Sequence, residues 1–183
     1  EYDYSSEEIK SSQNWFRPNN RYAYRVFASM INKLGNEKAS LICFHYLHQP
    51  LNPIETIEEN LFIIKEVSSV DDDLIRFVNN QYGEVFIRAE ELDQKDIQFD
   101  NIGSIYAKYG CIKSRKILKF LDRKSGKTVG CIIANRSPLG LNFSFLENRA
   151  YYIVDPAFPI EKKNQLIQVM NVTIKSTYKD FAL

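Results

Sequence analysis

Between Lys116 and Pro159 the chain reads KILKFLDR, KSGK, TVGCIIANRS, PLGLNFSFLEN and RAYYIVDP, which is strand, turn, strand, irregular connection, strand. β-Branched and aromatic residues fill the first two runs, and Ser125-Gly126 between them suits a tight hairpin turn. Asn148 and Pro156 bound the third run. Short apolar runs joined in this way bury their side chains by pairing with one another and taking a helical layer on the outside. The expected fold class is therefore α+β, with a mixed, mainly antiparallel sheet, a central meander over about 116–155 and flanking helices.

The rest of the chain divides around that stretch. Residues 1–19 are polar and read as an arm or linker whose Trp15-Phe16 pair docks by its aromatic rings. Residues 20–60 read as a helix and a strand packing onto the main sheet. Asn19 or Asn20 caps the helix, Gly35 ends it, and Tyr22, Val26, Phe27, Met30, Ile31 and Leu34 recur at helical spacing as a stripe expected to face the core. A strand is expected over Ala39–Leu47, then a loop from Pro50 to Pro53 and a short helical turn over 54–60.

Residues 61–183 form the main domain in this reading. A strand covers Leu61–Val67, and Ser68 or Ser69 ahead of Asp71, Asp72 and Asp73 starts a helix, because a polar cap and first-turn carboxylates complement the helix dipole. Its apolar face is Leu74, Ile75, Phe77, Val78 and Tyr82, and Gly83 ends it. Two further helices are expected around Ala89–Lys95 and Asn101–Tyr109. After the meander, Pro159 opens a helix over Ile160–Tyr178 with Leu166, Ile167, Met170, Ile174 and Tyr178 on one side. Phe181-Ala182-Leu183 reads as the start of another strand, and an N-terminal glutamate in place of methionine reads as a piece of a longer protein.

Composition excludes several classes. With 24 Lys and Arg against 23 Asp and Glu, no global basic field argues for nucleic acid or for an anionic membrane surface, although local patches remain open. No apolar run approaches the roughly 20 residues that span a bilayer, so no membrane insertion is expected. Cys43, Cys111 and Cys131 are isolated beside apolar runs and read as free buried thiols, which suits a reducing, cytoplasmic setting. The two histidines, His45 and His48, are three apart on the expected strand and point to opposite faces, so they do not share a metal ion. No nucleophile elbow or phosphate-binding loop occurs. The acidic triplet Asp71–Asp73 could bind a divalent cation, but as helix-start chemistry it needs no ligand.

Two patterns point to known families. Arg21-Tyr22-Ala23-Tyr24-Arg25 and Asn135-Arg136-Ser137-Pro138-Leu139-Gly140 resemble the RxxxR arm and the [DN]xSxxG turn of PilZ domains. That resemblance implies a cyclic di-GMP receptor in which Arg21, Arg25, Asn135, Ser137 and Gly140 hold the ligand, since paired guanidinium forks suit phosphates and guanine acceptors. The plain alternative is a pair of surface arginines and an ordinary turn.

The wider resemblance, over Leu61–Leu183, is to the GNAT acyltransferase fold. Strand LFIIKEV, the helix start in SSVDDDLIRFVNNQYG, a variable helical region, three antiparallel strands and a helix after YYIVDP follow that family's order. The phrase VGCIIANRSPLGLNFSFLENRAYYIVDP is similar to divergent GNAT-like domains that accompany PilZ modules in bacterial signalling proteins. It implies acyl-CoA as cofactor, held by the backbone of Tyr152, Ile153 and Val154, with the pyrophosphate at the N-terminus of the next helix beside Lys162 and Lys163. The chain departs from the family there: Pro159-Ile160-Glu161-Lys162-Lys163-Asn164-Gln165 has no glycine, and Glu161 opposes an anion. The resemblance thus implies a retained fold with weak catalysis, acting as a sensory or interaction module beside other domains of a longer protein. An active acyl-CoA-dependent N-acyltransferase is the alternative. Tyr22, Tyr24 and Tyr46 are its nominal general acids, better explained by core packing, and Glu66, Glu84 and Glu147 are equivalent as bases. A small-molecule ligand and pairing of two copies through aromatic patches complete the expected partners.

Overall fold

A computed structural model describes residues 16–17, 19–43, 61–69, 71–93, 102–108, 110, 113–136 and 149–180, without the side chains of 102, 105, 106 and 178–180. Its elements in chain order are α1 (Arg21–Leu34), β1 (Phe62–Glu66), α2 (Asp72–Ala89), α3 (Ile102–Ala107), β2 (Ser114–Asp122), β3 (Thr128–Arg136), β4 (Arg149–Val154) and α4 (Ile160–Asp180). The chain divides into two compact units, one of residues 1–48 with 78–93 and one of 49–77 with 94–183.

In the second unit the four strands pair in the order β1-β2-β3-β4, every pair antiparallel. β2 and β3 run through the middle and are buried along most of their length, which is why their sequences are nearly continuously apolar. The hairpin between them closes on Asp122, whose carboxylate accepts from the backbone N–H (3.0 Å) and the hydroxyl (2.7 Å) of Ser125. Gly126 takes φ +68°, and its N–H donates to the Asp122 carbonyl at 2.8 Å. Glycine reaches that left-handed conformation without a Cβ clash.

The register shifts between Phe120 and Leu121, which pair with Gly130 and Thr128 and leave Val129 as the extra residue. This bulge turns Val129 toward one face and Thr128 toward the other. On the first face Phe62, Leu118, Phe120, Val129, Ile132 and Ala134 form a core with Leu166, Val169, Met170 and Ile174 of α4. α4 comes close because residue 130 is glycine: a Cβ there would lie 3.1 Å from Leu166 Cδ2 and 3.2 Å from the Ile153 carbonyl. On the opposite face the start of α2 is tied down. Asp71 caps that helix by accepting from the Leu74 N–H at 2.8 Å, so the cap is Asp71, not the expected Ser68 or Ser69.

In the first unit, Asn20 caps α1 through an acceptor bond from the Ala23 N–H at 3.1 Å, and Gly35 follows its last turn, as the sequence predicts. Phe16 stacks on Phe27 with ring centroids 5.2 Å apart, the aromatic docking expected just ahead of the helix. Arg88 donates to the Glu37 carbonyl.

Several expectations change. The apolar stripe of α1 does not face a core: no α1 residue is buried, and Tyr22 is 80% exposed. Tyr22 and Tyr24 are therefore not core aromatics. Residues 39–43 are not strand, and the remainder of that expected strand lies outside the described residues. Gly83, with φ 78° and ψ 173°, ends the first helical segment as expected, but a second segment carries α2 on to Ala89. The helix expected from Ala89 is absent from the described residues up to 93, where the chain turns. Ile167 is exposed, and Val169 takes its place on the buried side of α4. Cys131 is buried as expected, whereas Cys43 is exposed. No described helix is long and apolar enough to cross a membrane.

Candidate functional site

The corner where β4 runs into α4 contains the residues named for a coenzyme. β4 stands at the end of the sheet, and its outer edge carries no strand among the described residues. Ile153 is buried, while Tyr152 and Val154 are packed partly buried against the α4 core. Side chains at these positions belong to packing, which leaves only the backbone of the strand for a ligand.

The turn after β4 holds itself together. The Asp155 carboxylate accepts from the Ala157 N–H at 2.8 Å, and the Phe158 N–H donates to the Asp155 carbonyl at 3.1 Å. The Lys163 N–H then donates to the Pro159 carbonyl at 2.8 Å, so α4 begins immediately after proline. Both lysines are engaged. Lys163 Nζ donates to the Pro156 carbonyl at 2.6 Å. Lys162 Nζ lies 3.7 Å from Asp122 Oδ1 and 5.5 Å from the centroid of the Phe158 ring. The Ser125 hydroxyl and backbone N–H, helped by Lys162, hold the Asp122 carboxyl below the usual carboxylate range. Glu161 is exposed in the first turn of α4.

A second polar cluster sits on the sheet face opposite α4. Lys119 is 8% exposed, and its Nζ reaches Asp71 Oδ2 at 2.7 Å and Asp73 Oδ2 at 3.2 Å. Asp73 Oδ2 also accepts from the Thr128 hydroxyl at 2.6 Å, which the bulge at Val129 directs there. Burial works against the charge on Asp71, but the Lys119 ammonium and the Leu74 amide outweigh it and lower its pKa. For Asp73 the Thr128 hydroxyl is the leading cause and carries the pKa down against burial. Burial opposes the Lys119 charge too, and its two carboxylate partners raise its pKa regardless. Beside the cluster lies an open depression of about 300 Å³ lined by Lys65, Glu66, Val67, Ser68, Ser69, Asp71 and Lys119. Asp71–Asp73 was legible as a helix start, but Lys119 was not singled out. The available signal was a lysine inside the apolar run KILKFL, since a buried ammonium requires a counter-charge.

On the same face Arg115 Nε donates to Asn135 Oδ1 at 2.8 Å, with both residues buried. Asn135 lies across from Arg149 on β4, whose guanidinium stands 4.9 Å from the centroid of the Tyr151 ring. Of the residues named for cyclic di-GMP, Arg21 and Arg25 are exposed on α1, Asn135 is enclosed by the sheet, and Ser137 and Gly140 lie outside the described residues. Among the general acid and base candidates, Glu66 and Glu84 are exposed, and Tyr46 and Glu147 lie outside the described residues, as do Cys111, His45 and His48. No group of acidic, histidine or cysteine side chains suited to a metal ion occurs among the described residues. No protein-family model, curated protein or solved structure gives a significant match to this chain.

Proposed function

We propose that residues 61–183 are a divergent GNAT-like module that keeps that family's sheet without a strong hold on acyl-CoA, and that it serves a longer bacterial signalling protein as a sensory or interaction domain. Support for the fold comes from the order of elements: an edge strand, two helices, three further antiparallel strands with β4 outermost, and a closing helix.

The observation that carries the loss of grip is the start of α4. A phosphate approaches helix N–H groups closely where small residues leave room. Here Pro159, Ile160 and the exposed Glu161 occupy that end, while Lys163 is bonded to Pro156 and Lys162 is drawn to Asp122. Charge that would meet a pyrophosphate is already neutralised or directed elsewhere.

Isothermal titration of the protein with acetyl-CoA tests the reading. The expected result is no binding in the micromolar range. Micromolar affinity overturns it and favours an active N-acyltransferase.

A further inference from the structure

We propose that α1 lies on the surface of an anionic lipid bilayer, with its apolar side in the boundary between headgroups and acyl chains. The stripe made by Tyr22, Val26, Met30 and Leu34 repeats every fourth residue and is open to solvent, at 80%, 39%, 46% and 49% exposure. Tyr24, at 51%, stands toward the other border of the apolar arc. On a helical wheel the polar arc is Arg21, Asn32, Arg25 and Ser29, all exposed, with Ser29 bordering Tyr22, and the exposed Lys33 falls inside the stripe between Tyr22 and Val26. Between Phe16 and Asn36 the chain carries Arg17, Arg21, Arg25 and Lys33 and no acidic residue. The whole chain is nearly neutral, so this segment concentrates positive charge.

Those features together select a lipid surface. A helix with one broad apolar arc, a basic polar arc and moderate overall hydrophobicity partitions into the interface plane, and its cations add attraction to anionic headgroups. Fourteen residues make a helix of about 21 Å, shorter than the roughly 30 Å hydrocarbon core, so the helix lies on the bilayer and does not span it. Tyrosines on the apolar arc are suited to the headgroup level. A second copy of the chain fits poorly, because self-pairing would bury Lys33, which lies within the stripe, with no acidic residue on that face to meet it. A protein partner fixes register with complementary charges inside the contact. This face offers charge of one sign only, and a fluid headgroup layer imposes no register.

Flotation of the full chain with phosphatidylcholine vesicles, with and without phosphatidylserine, decides the matter. The expected result is binding that needs phosphatidylserine and is released at high salt. Met30→Glu and Leu34→Glu, both at exposed positions, abolish it with the circular dichroism unchanged. The double variant Arg21→Gln with Arg25→Gln weakens partitioning by about thirtyfold. Absence of flotation with phosphatidylserine overturns the proposal, as does undiminished flotation of Met30→Glu. A dimer in vesicle-free solution that Met30→Glu dissolves also overturns it and assigns the face to a second copy.

Discussion

Lys119, at the middle of β2, places its ammonium 2.7 Å from the Asp71 carboxylate just ahead of α2, so the charge that anchors the helix start rises from the buried face of the sheet. Asp71 uses its other oxygen to cap the helix at the Leu74 N–H. One carboxylate therefore both starts α2 and fixes where it meets the sheet. An unpaired ammonium in this position would be costly, which makes the contact a determinant of register as well as of stability.

Stability should accordingly depend on pH at both extremes. Asp71 and Asp73 have lowered pKa values in the fold, so their contribution is complete above the ordinary value of 3.8 and is lost as pH falls through the lower folded values. Lys119 is shifted up, so its contribution is complete below 10.5 and is lost as pH rises through its higher folded value. Lys119→Met is expected to cost about 2 kcal/mol near neutral pH, the scale of hydrogen bonds to charged groups. Asp73 is half exposed and supplies the smaller share. Urea unfolding at several pH values measures this, and the variant should lose much of both the acid and the alkaline dependence. A variant as pH-sensitive as the parent would remove the cluster from the account.

Gly130→Ala should separate α4 from the sheet. The added methyl meets Leu166 Cδ2 at 3.1 Å, the Ile153 carbonyl at 3.2 Å and Met170 Cε at 3.5 Å. Leucine can move, but a carbonyl held in the β3–β4 ladder cannot easily do so. Overpacking of this kind costs about 1–3 kcal/mol. Combining Gly130→Ala with Leu166→Ala should give less than the sum of the two losses in thermal unfolding, because the cavity admits the methyl. Strict additivity would show that Leu166 does not set the separation.

Local chemistry made much of this legible, and distant contacts account for what was missed. The β2–β3 hairpin follows from Ser125-Gly126, the boundaries of α1 from Asn20 and Gly35, and the β4–α4 junction from Pro156 and Pro159. Each signal sits within a few residues of the feature it governs. Periodicity grouped Tyr22, Val26, Phe27, Met30, Ile31 and Leu34 as one stripe of α1 but could not say what covers it: Phe27 and Ile31 are half-buried and the other four are exposed. Ile167 and Val169 exchanged places because a stripe read from spacing alone leaves the helix free to rotate by part of a turn against its neighbour. Lys119 was overlooked because its partners lie 48 and 46 residues away in sequence, and only the sheet register brings them together.

Asn135 offers the sharpest separation of a structural role from a ligand-binding one. Its Oδ1 accepts from Arg115 Nε at 2.8 Å inside the sheet, where each residue is at most 4% exposed. Removing the acceptor strands a buried guanidinium donor, a loss of about 1.5–3 kcal/mol. Asn135→Ala should therefore lower the melting temperature, and Asn135→Asp, which keeps the oxygen and adds a negative charge beside Arg115, should recover part of it. Arg21→Ala and Arg25→Ala, on the exposed arc of α1, should leave the melting temperature nearly unchanged. Had these residues acted together as a cyclic di-GMP site, the nucleotide would stabilise the parent protein and none of the three alanine variants. Thermal melts with and without the nucleotide distinguish the cases, and an upward shift confined to the parent would return Asn135 to the ligand-binding account.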